Sequence, residues 1–459
     1  MAGSRASNLK QTREKRQRAV ASASAAAAVR WESIDAALCE QRATAVTRSL
    51  IWAYLILAVV LVVFPALYTH AEDSGLLSSA PRLFAMAATA ITLVNMLLVS
   101  TSVVFIGARV SAARDRLRRW ALEQSRTRAG ADDSESVAAA LAALEREVIG
   151  RGDALRFPLV ASLGLIALFM AIRYLPQNVV QLLIGMYVAL ASLFSMTSIL
   201  SPLLDLLEHR LRRSPRTKPL GMLMARRFGL FRDTLSVHGR DVLGMVLALP
   251  LLYWYRQSSG LGAAILNNIF AASLGVAGID LLAIGDFQTA VVLLVGLFLY
   301  DIFWVFGSEA VFGDNVMVSV ARGIDGPFKF VFYRLRARPD AARDMSMLGL
   351  GDLVIPGLFV ALMLRFDHRH LAKPSLAPKS PYFSATYMAY ALGMVTTFVA
   401  MAVSKAAQPA LLYLVPFCLV APLVRAWRLG ELRSLWYYRE HDAELDSHRE
   451  PHQSSCNDT

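Results

Sequence analysis

Cysteine is almost missing from this chain, with three residues in 459. Cys39, Cys418 and Cys456 stand far apart in segments of different character, so no disulfide framework organises the fold. A thiol protease needs an activated cysteine with a histidine partner, and the apolar run around Cys418 holds no histidine. His441, His448 and His452 in the polar tail do not form the zinc-protease motif and read as solvated side chains. Charge is scarce as well, at 18% of residues against 56% hydrophobic. That balance excludes an ordinary soluble domain of this length.

The missing charge is concentrated in runs. Nearly uncharged stretches fall at about 50–68, 84–108, 157–172, 178–203, 241–255, 261–281, 287–306, 347–364, 382–403 and 409–427. Most carry the roughly 20 residues that cross a hydrocarbon core of about 30 Å. The runs at 157–172 and 241–255 are short for a lipid-facing span. Ten spans follow, and with them an all-α polytopic membrane protein.

A formal charge of +12 suggests nucleic acid until its distribution is examined. With the N-terminus in the cytosol, 36 of the 47 Lys and Arg residues lie on the cytosolic side and 10 on the other, leaving Arg425 in a span. The positive-inside rule predicts that bias, so the basicity sets topology and no nucleic-acid partner is implied. Residues 1–48 form a basic, Ala/Ser-rich arm that reads as disordered and cytosolic. The arm precedes the first span, which favours a retained anchor over a cleaved signal peptide. Residues 49–152 then hold two spans and a cytosolic loop, with a short helix expected over 138–148. After Trp427 comes a polar tail, 428–459.

Three acidic residues remain inside the spans: Asp280, Asp301 and Asp352. Asp280 lies one turn from its span's end and reads as interfacial, with access to water. Asp301, in "LFLYDIFWVFG", lies about five residues before the seventh span ends. Asp352, in "MLGLGDLVIPGLF", lies about five residues into the eighth. The two spans run antiparallel, so at 1.5 Å per residue both carboxylates fall roughly 8 Å inside one membrane face. A carboxylate there costs about 2.5–3.5 kcal/mol even on lenient insertion scales. Two facing carboxylates share a proton, and one then serves as general base on water while the other polarises a carbonyl. On spacing alone a structural or proton-relay pair, as in a transporter, explains them equally well.

The neighbours favour hydrolysis. Gly349 and Gly351 flank Leu350 directly before Asp352, where an ordinary helix loses about 1 kcal/mol per glycine. Glycine there permits bending and the close approach of a second chain. A helical substrate hides its peptide bonds, so a protease must open it, and pairing it as an extended strand does so. Pro409, in "QPALLYLVP", sits at a span's mouth and exposes polar backbone.

Tyr300-Asp301, Gly349-Leu350-Gly351-Asp352 and Pro409-Ala410-Leu411 resemble the YD, GxGD and PAL motifs of the presenilin and signal peptide peptidase class of intramembrane aspartyl proteases. "NVMVSVA" and "DALRFPLVAS" narrow the resemblance to the signal peptide peptidase branch, over about 153–438. It implies a presenilin-like bundle of nine core helices, to which this chain adds one N-terminal span. Residues 153–285 would form the first part of the bundle and 286–427 its catalytic helices. Asp301 and Asp352 would be the catalytic pair, beside Tyr300. Gly349, Leu350 and Gly351 would shape the site, and Pro409, Ala410 and Leu411 would hold substrate. The family cuts type II-oriented membrane segments such as remnant signal peptides in the endoplasmic reticulum, and implies no metal or organic cofactor. "GSEAVFGDNVMV" and "PFCLVAPLVRAWRLGELRSLW" lean toward the signal-peptide-peptidase-like branch, and the ending "SSCNDT" lacks a dilysine retrieval signal, which leaves the Golgi or another endomembrane as the alternative. A proton-coupled transporter or a catalytically silent scaffold is the competing function, although no internal repeat supports a transporter. The small-residue face "GLGAA" at 260–264 would allow homo-oligomers in the bilayer.

The charge count makes a topological prediction. A glycan acceptor introduced near Asp314 should be modified, whereas acceptors placed near Asn8 or on a spacer beyond Thr459 should stay bare. Glycosylation at the tail would invert the assignment.

Overall fold

The computed structural model describes residues 48–63, 81–127, 147–211, 239–313, 316–324, 326–333, 345–370, 380–404 and 408–440. Each of the ten apolar runs contains a helix. Helix α1 (Arg48–Ala58) passes into a π turn at Val59–Val63. It is followed by α2 (Pro81–Thr127), α3 (Arg151–Tyr174), α4 (Gln177–Leu211), α5 (Gly239–Gln257) and α6 (Gly260–Leu281). Helix α7 (Phe287–Ile302) runs through a π turn (Phe303–Gly307) into α8 (Ser308–Phe312), and α9 spans Val316–Gly323. The last helices are α10 (Gly351–His370), α11 (Pro381–Ser404), α12 (Ala410–Leu429) and the short α13 (Leu432–Trp436).

Among the described residues, seven helices are long and apolar enough to cross a membrane; α1, α5 and α10 fall short of that measure. For α10 the reason is physical. It carries Asp352, Arg365, Asp367 and Arg369, yet every residue from Ala361 to Asp367 is buried. A span wrapped by other helices contacts protein rather than lipid and can carry charge that has a partner.

Two small sheets lie among the helices, neither expected from the sequence. Strand β1 (Glu147–Ile149) pairs in parallel with β2 (Leu282–Ile284). Of the helix expected over 138–148, residues 138–146 lie outside the described residues, and Glu147 and Val148 are strand. The second sheet pairs β3 (Lys329–Tyr333) with β4 (Met345–Gly349), antiparallel. The eighth apolar run therefore begins as a strand and turns helical only at Gly351.

Packing is closest where glycines meet. A Cβ at Gly107 of α2 would lie 2.8–3.0 Å from three Ile279 side-chain atoms, and one at Gly357 of α10 would lie 2.5 Å from Ile279 Cδ1. Ile279 of α6 is thus wedged between two bare backbones, bringing α2, α6 and α10 together. Gly296 of α7 is similarly close to Pro158 of α3, at 2.9 Å.

One end of this core is tied by charge. Arg114 forks onto both oxygens of Asp280, which is 2% exposed. The expectation of a water-accessible Asp280 is corrected: the α2 guanidinium reaches it and takes the place of solvent. Arg365 donates to Glu440 at 2.6 Å, to Ser111 at 2.9 Å and to the Ile284 carbonyl at 3.3 Å. Asp367 accepts the amides of Tyr382 and Phe383, satisfying the first turn of α11. The polar tail is consequently docked as far as Glu440, with Leu435 fully buried and the Glu440 amide bonded to the Gly285 carbonyl at 2.8 Å.

This wedge is open to test. Gly107→Val should cost about 1–3 kcal/mol by overpacking against Ile279. A thermal melt of the purified protein should show an earlier transition, and Ile279→Ala in the same chain should recover part of it. An unchanged melt would contradict the close approach of α2 and α6.

Candidate active site

Helix α7 is started by Asp286, whose carboxylate accepts the Thr289 amide at 2.6 Å and its hydroxyl at 2.7 Å. From this cap the helix carries Tyr300 and Asp301 into the bundle. The helical run ends at Phe312 rather than near 306, which puts Asp301 eleven residues from its end. That corresponds to about 16 Å along the axis, so Asp301 stands farther from the end of its helix than the sequence suggested. A π turn begins two residues later, at Phe303. Such turns often mark functional sites because they re-aim side chains. Trp304, inside that turn and 2% exposed, donates its indole N–H to Ser162 Oγ of α3 at 3.0 Å. Tyr300 packs near it with its ring tilted, the ring centroids 6.3 Å apart.

Asp352 reaches the same region by another route. It is the second residue of α10, because the first residues of the eighth apolar run form β4, which leads directly into the helix. Helices α7 and α10 pack directly against each other, so the segments carrying Tyr300, Asp301 and Asp352 belong to one neighbourhood. The two carboxylates differ in access: Asp301 is 2% exposed, whereas Asp352 keeps part of its surface open. Gly351 beside it is exposed, and a Cβ there meets nothing within 4 Å. Gly349 is tighter, since its Cβ would lie 3.2 Å from Asp352 Oδ2. The glycine pair thus leaves room on one side for the carboxylate and on the other for something outside.

Pro409 caps α12 and Ala410 begins it, both buried. The free amide of Leu411 in the first turn donates to Asp301 Oδ2 at 3.0 Å. The first amides of any helix lack internal partners, and the positive end of the helix dipole favours an anion there. Leu411 accordingly meets Asp301 through its backbone, in the turn that Pro409 and Ala410 begin, a contact the sequence did not disclose. Leu350 continues the ladder, its amide donating to the Phe328 carbonyl at 2.9 Å. All nine residues singled out in the sequence lie on the three segments that converge here. Among the described residues no group of three His, Cys, Asp or Glu gathers as a metal site would need.

Sequence reasoning passed over Asn267 and Asn268. These amides sit 5% exposed in the otherwise apolar α6 and bond to the backbone of β3. The available signal was two adjacent polar residues in a span, where each unpaired amide costs several kcal/mol.

The site's opening is testable by chemistry. With Cys39 and Cys456 replaced, Gly351→Cys should react with a water-soluble thiol reagent in membranes, whereas Leu411→Cys, at a position 5% exposed, should not. Protection of Gly351→Cys would contradict an opening beside Asp352.

Residues 142–442 match the family model described as signal peptide peptidase. The chain is similar to a probable intramembrane protease of Schizosaccharomyces pombe, 35% identical over 318 residues, 69% of this chain and 90% of that one. It is similar to human signal peptide peptidase, 34% identical over 302 residues, 64% of this chain and 74% of that one. Over 209 residues it is 44% identical to intramembrane protease 2 of Caenorhabditis elegans, covering 44% of this chain and 43% of that one.

Proposed function

This chain belongs to the signal peptide peptidase family and is a multi-pass intramembrane aspartyl protease, and on that premise we propose that Asp301 and Asp352 are its catalytic pair. The observation that carries the assignment is the Leu411 amide at the start of α12 holding Asp301, on a helix packed against the one that bears Asp352. Asp301, fixed by that amide, is placed to take a proton from water. Asp352, nearer the opening, is placed to give its proton to the scissile carbonyl oxygen. Hydroxide adds to the carbonyl carbon and forms a gem-diol. Proton transfer to the amide nitrogen then lets the C–N bond break, releasing a carboxyl and an amino terminus.

Substrates are membrane-embedded, and we assign the finer class as type II-oriented segments such as remnant signal peptides. An endoplasmic reticulum membrane is the fitting compartment. The β4 strand supports presentation of such a segment in extended form. Leu350 bonds directly to Phe328, so by antiparallel alternation Phe328, Phe330 and Phe332 turn their backbone toward β4. Their partners leave the N–H and C=O of Met345, Met347 and Gly349 facing away from β3. No described backbone bonds to that edge, which leads straight to Asp352. A substrate strand laid there gains main-chain hydrogen bonds and exposes a peptide bond to the pair. Residues 153–285 on this reading scaffold the bundle and 286–427 carry its chemistry.

Asp301→Ala and Asp352→Ala should each abolish cleavage of a helical signal-peptide substrate by folded, inserted enzyme. The double variant should be no worse than either single one, because the pair divides one task. Cleavage should also follow a bell-shaped pH profile whose limits belong to the pair. Near-normal turnover by either single variant would contradict the assignment.

A further inference from the structure

A two-stranded ladder in a membrane protein has two edges, and in this one they are treated differently. Among the described residues, no backbone pairs with the outer edge of β4. The edge of β3 is closed, and a helix closes it rather than a third strand. Asn268 Oδ1 accepts the Val331 amide at 2.8 Å, and its Nδ2 donates to the Val331 carbonyl at 2.8 Å. One side chain therefore satisfies both outward groups of a strand residue, the pattern a neighbouring strand would make. Asn267 Nδ2 donates to the Lys329 carbonyl at 2.8 Å, the next outward-facing residue along. The Tyr255 hydroxyl of α5 donates to Asn267 Oδ1 at 3.2 Å, which fixes that amide's orientation. Lys329 and Val331 are the residues whose backbone the alternation turns away from β4, so the asparagines meet the groups that β4 cannot.

We propose that Asn267 and Asn268 are positioning residues that brace β3 as a mock strand, confining substrate to the β4 edge and fixing which of its peptide bonds reaches Asp301 and Asp352. The proposal rests on the reading of β4 as the strand that receives substrate. Three consequences of the geometry support it. A β3 edge left open inside the bundle would offer a second template for an incoming strand, directed away from the carboxylates. Unsatisfied Val331 groups would favour sliding of β3 past β4 by two residues, the smallest slip that keeps Phe330 and Phe332 facing the core. Because β4 is continuous with Gly349 and Asp352, a slip between the strands would shift the template and Asp352 together relative to Asp301. The brace acts through β3 and touches neither substrate nor carboxylates.

The test is product mapping by mass spectrometry together with KM and kcat on one helical substrate, using full-length enzyme at matched amounts. Asn268→Ala should spread cleavage to bonds about two residues from the main site. It should raise KM about five-fold for the loss of one net hydrogen bond, with a smaller fall in kcat. Asn268→Asp keeps an acceptor for the Val331 amide and loses the donor, and should give an intermediate spread. Asn267→Ala, which removes a single bond to β3, should shift products least. A merely structural role would reduce the yield of folded enzyme and leave the cleavage position alone. Should Asn268→Ala fail to accumulate, Asn268→Asp carries the same test with nearly unchanged side-chain volume.

Met347→Pro separates the two layers of the argument, because it removes an outward N–H from β4 without touching the bonds to β3. If Met347→Pro impairs cleavage while both Asn268 variants keep the wild-type products and KM, the brace is overturned and the strand reading stands. If Met347→Pro cleaves normally, the strand reading falls and the brace with it.

Discussion

Asp301 is a carboxylate in the interior of a helical bundle, and the Leu411 amide, donating at 3.0 Å, holds it there. Burying an acid in such surroundings costs several kcal/mol unless it is hydrogen-bonded. The amide is available because it belongs to the first turn of α12, where helices leave donors unpaired. Pro409 sets that turn: it begins α12 abruptly and has no N–H of its own to satisfy. The contact needs α7 and α12 side by side, and Trp304 bonded to Ser162 holds the far side of α7 against α3. Much of the bundle serves to place one carboxylate against one backbone amide.

Asp352 is placed by opposite means. Helix α10 is anchored at its other end, where Arg365, Asp367 and Arg369 bind α2, α11 and the tail. Its first turn is preceded by β4, whose ladder partner β3 is clasped to α6 by asparagines. Between these anchors the helix is nearly all interior, wedged against Ile279 through Gly357. A rigid helix with its acid at the tip, emerging from a strand with an open edge, suits a catalyst that must unwind its substrate first.

The ten apolar runs and the three motif segments were legible in sequence because hydropathy and residue identity carry them. The charge bias was equally plain. What stayed hidden depended on partners distant in the chain. Asp280 read as interfacial because its span ends there, while Arg114, which buries it, lies 166 residues away. The ladder escaped notice because "MSMLG" is as apolar as the helix that follows and too short to show a period. Asn267 and Asn268 were visible as misplaced polar residues, but β3, which explains them, was not. The distance of Asp301 from the end of its helix was missed because a π turn carries the helix past the apolar run to Phe312.

The most direct measurement is a structure of the Asp352→Asn enzyme holding a helical signal-peptide substrate in lipid. The account predicts that the substrate is unwound where it enters, pairs with the backbone of Met345, Met347 and Gly349, and presents one carbonyl between Asp301 and residue 352. A substrate that stays helical throughout, or pairs with β3 in place of the asparagines, would contradict it.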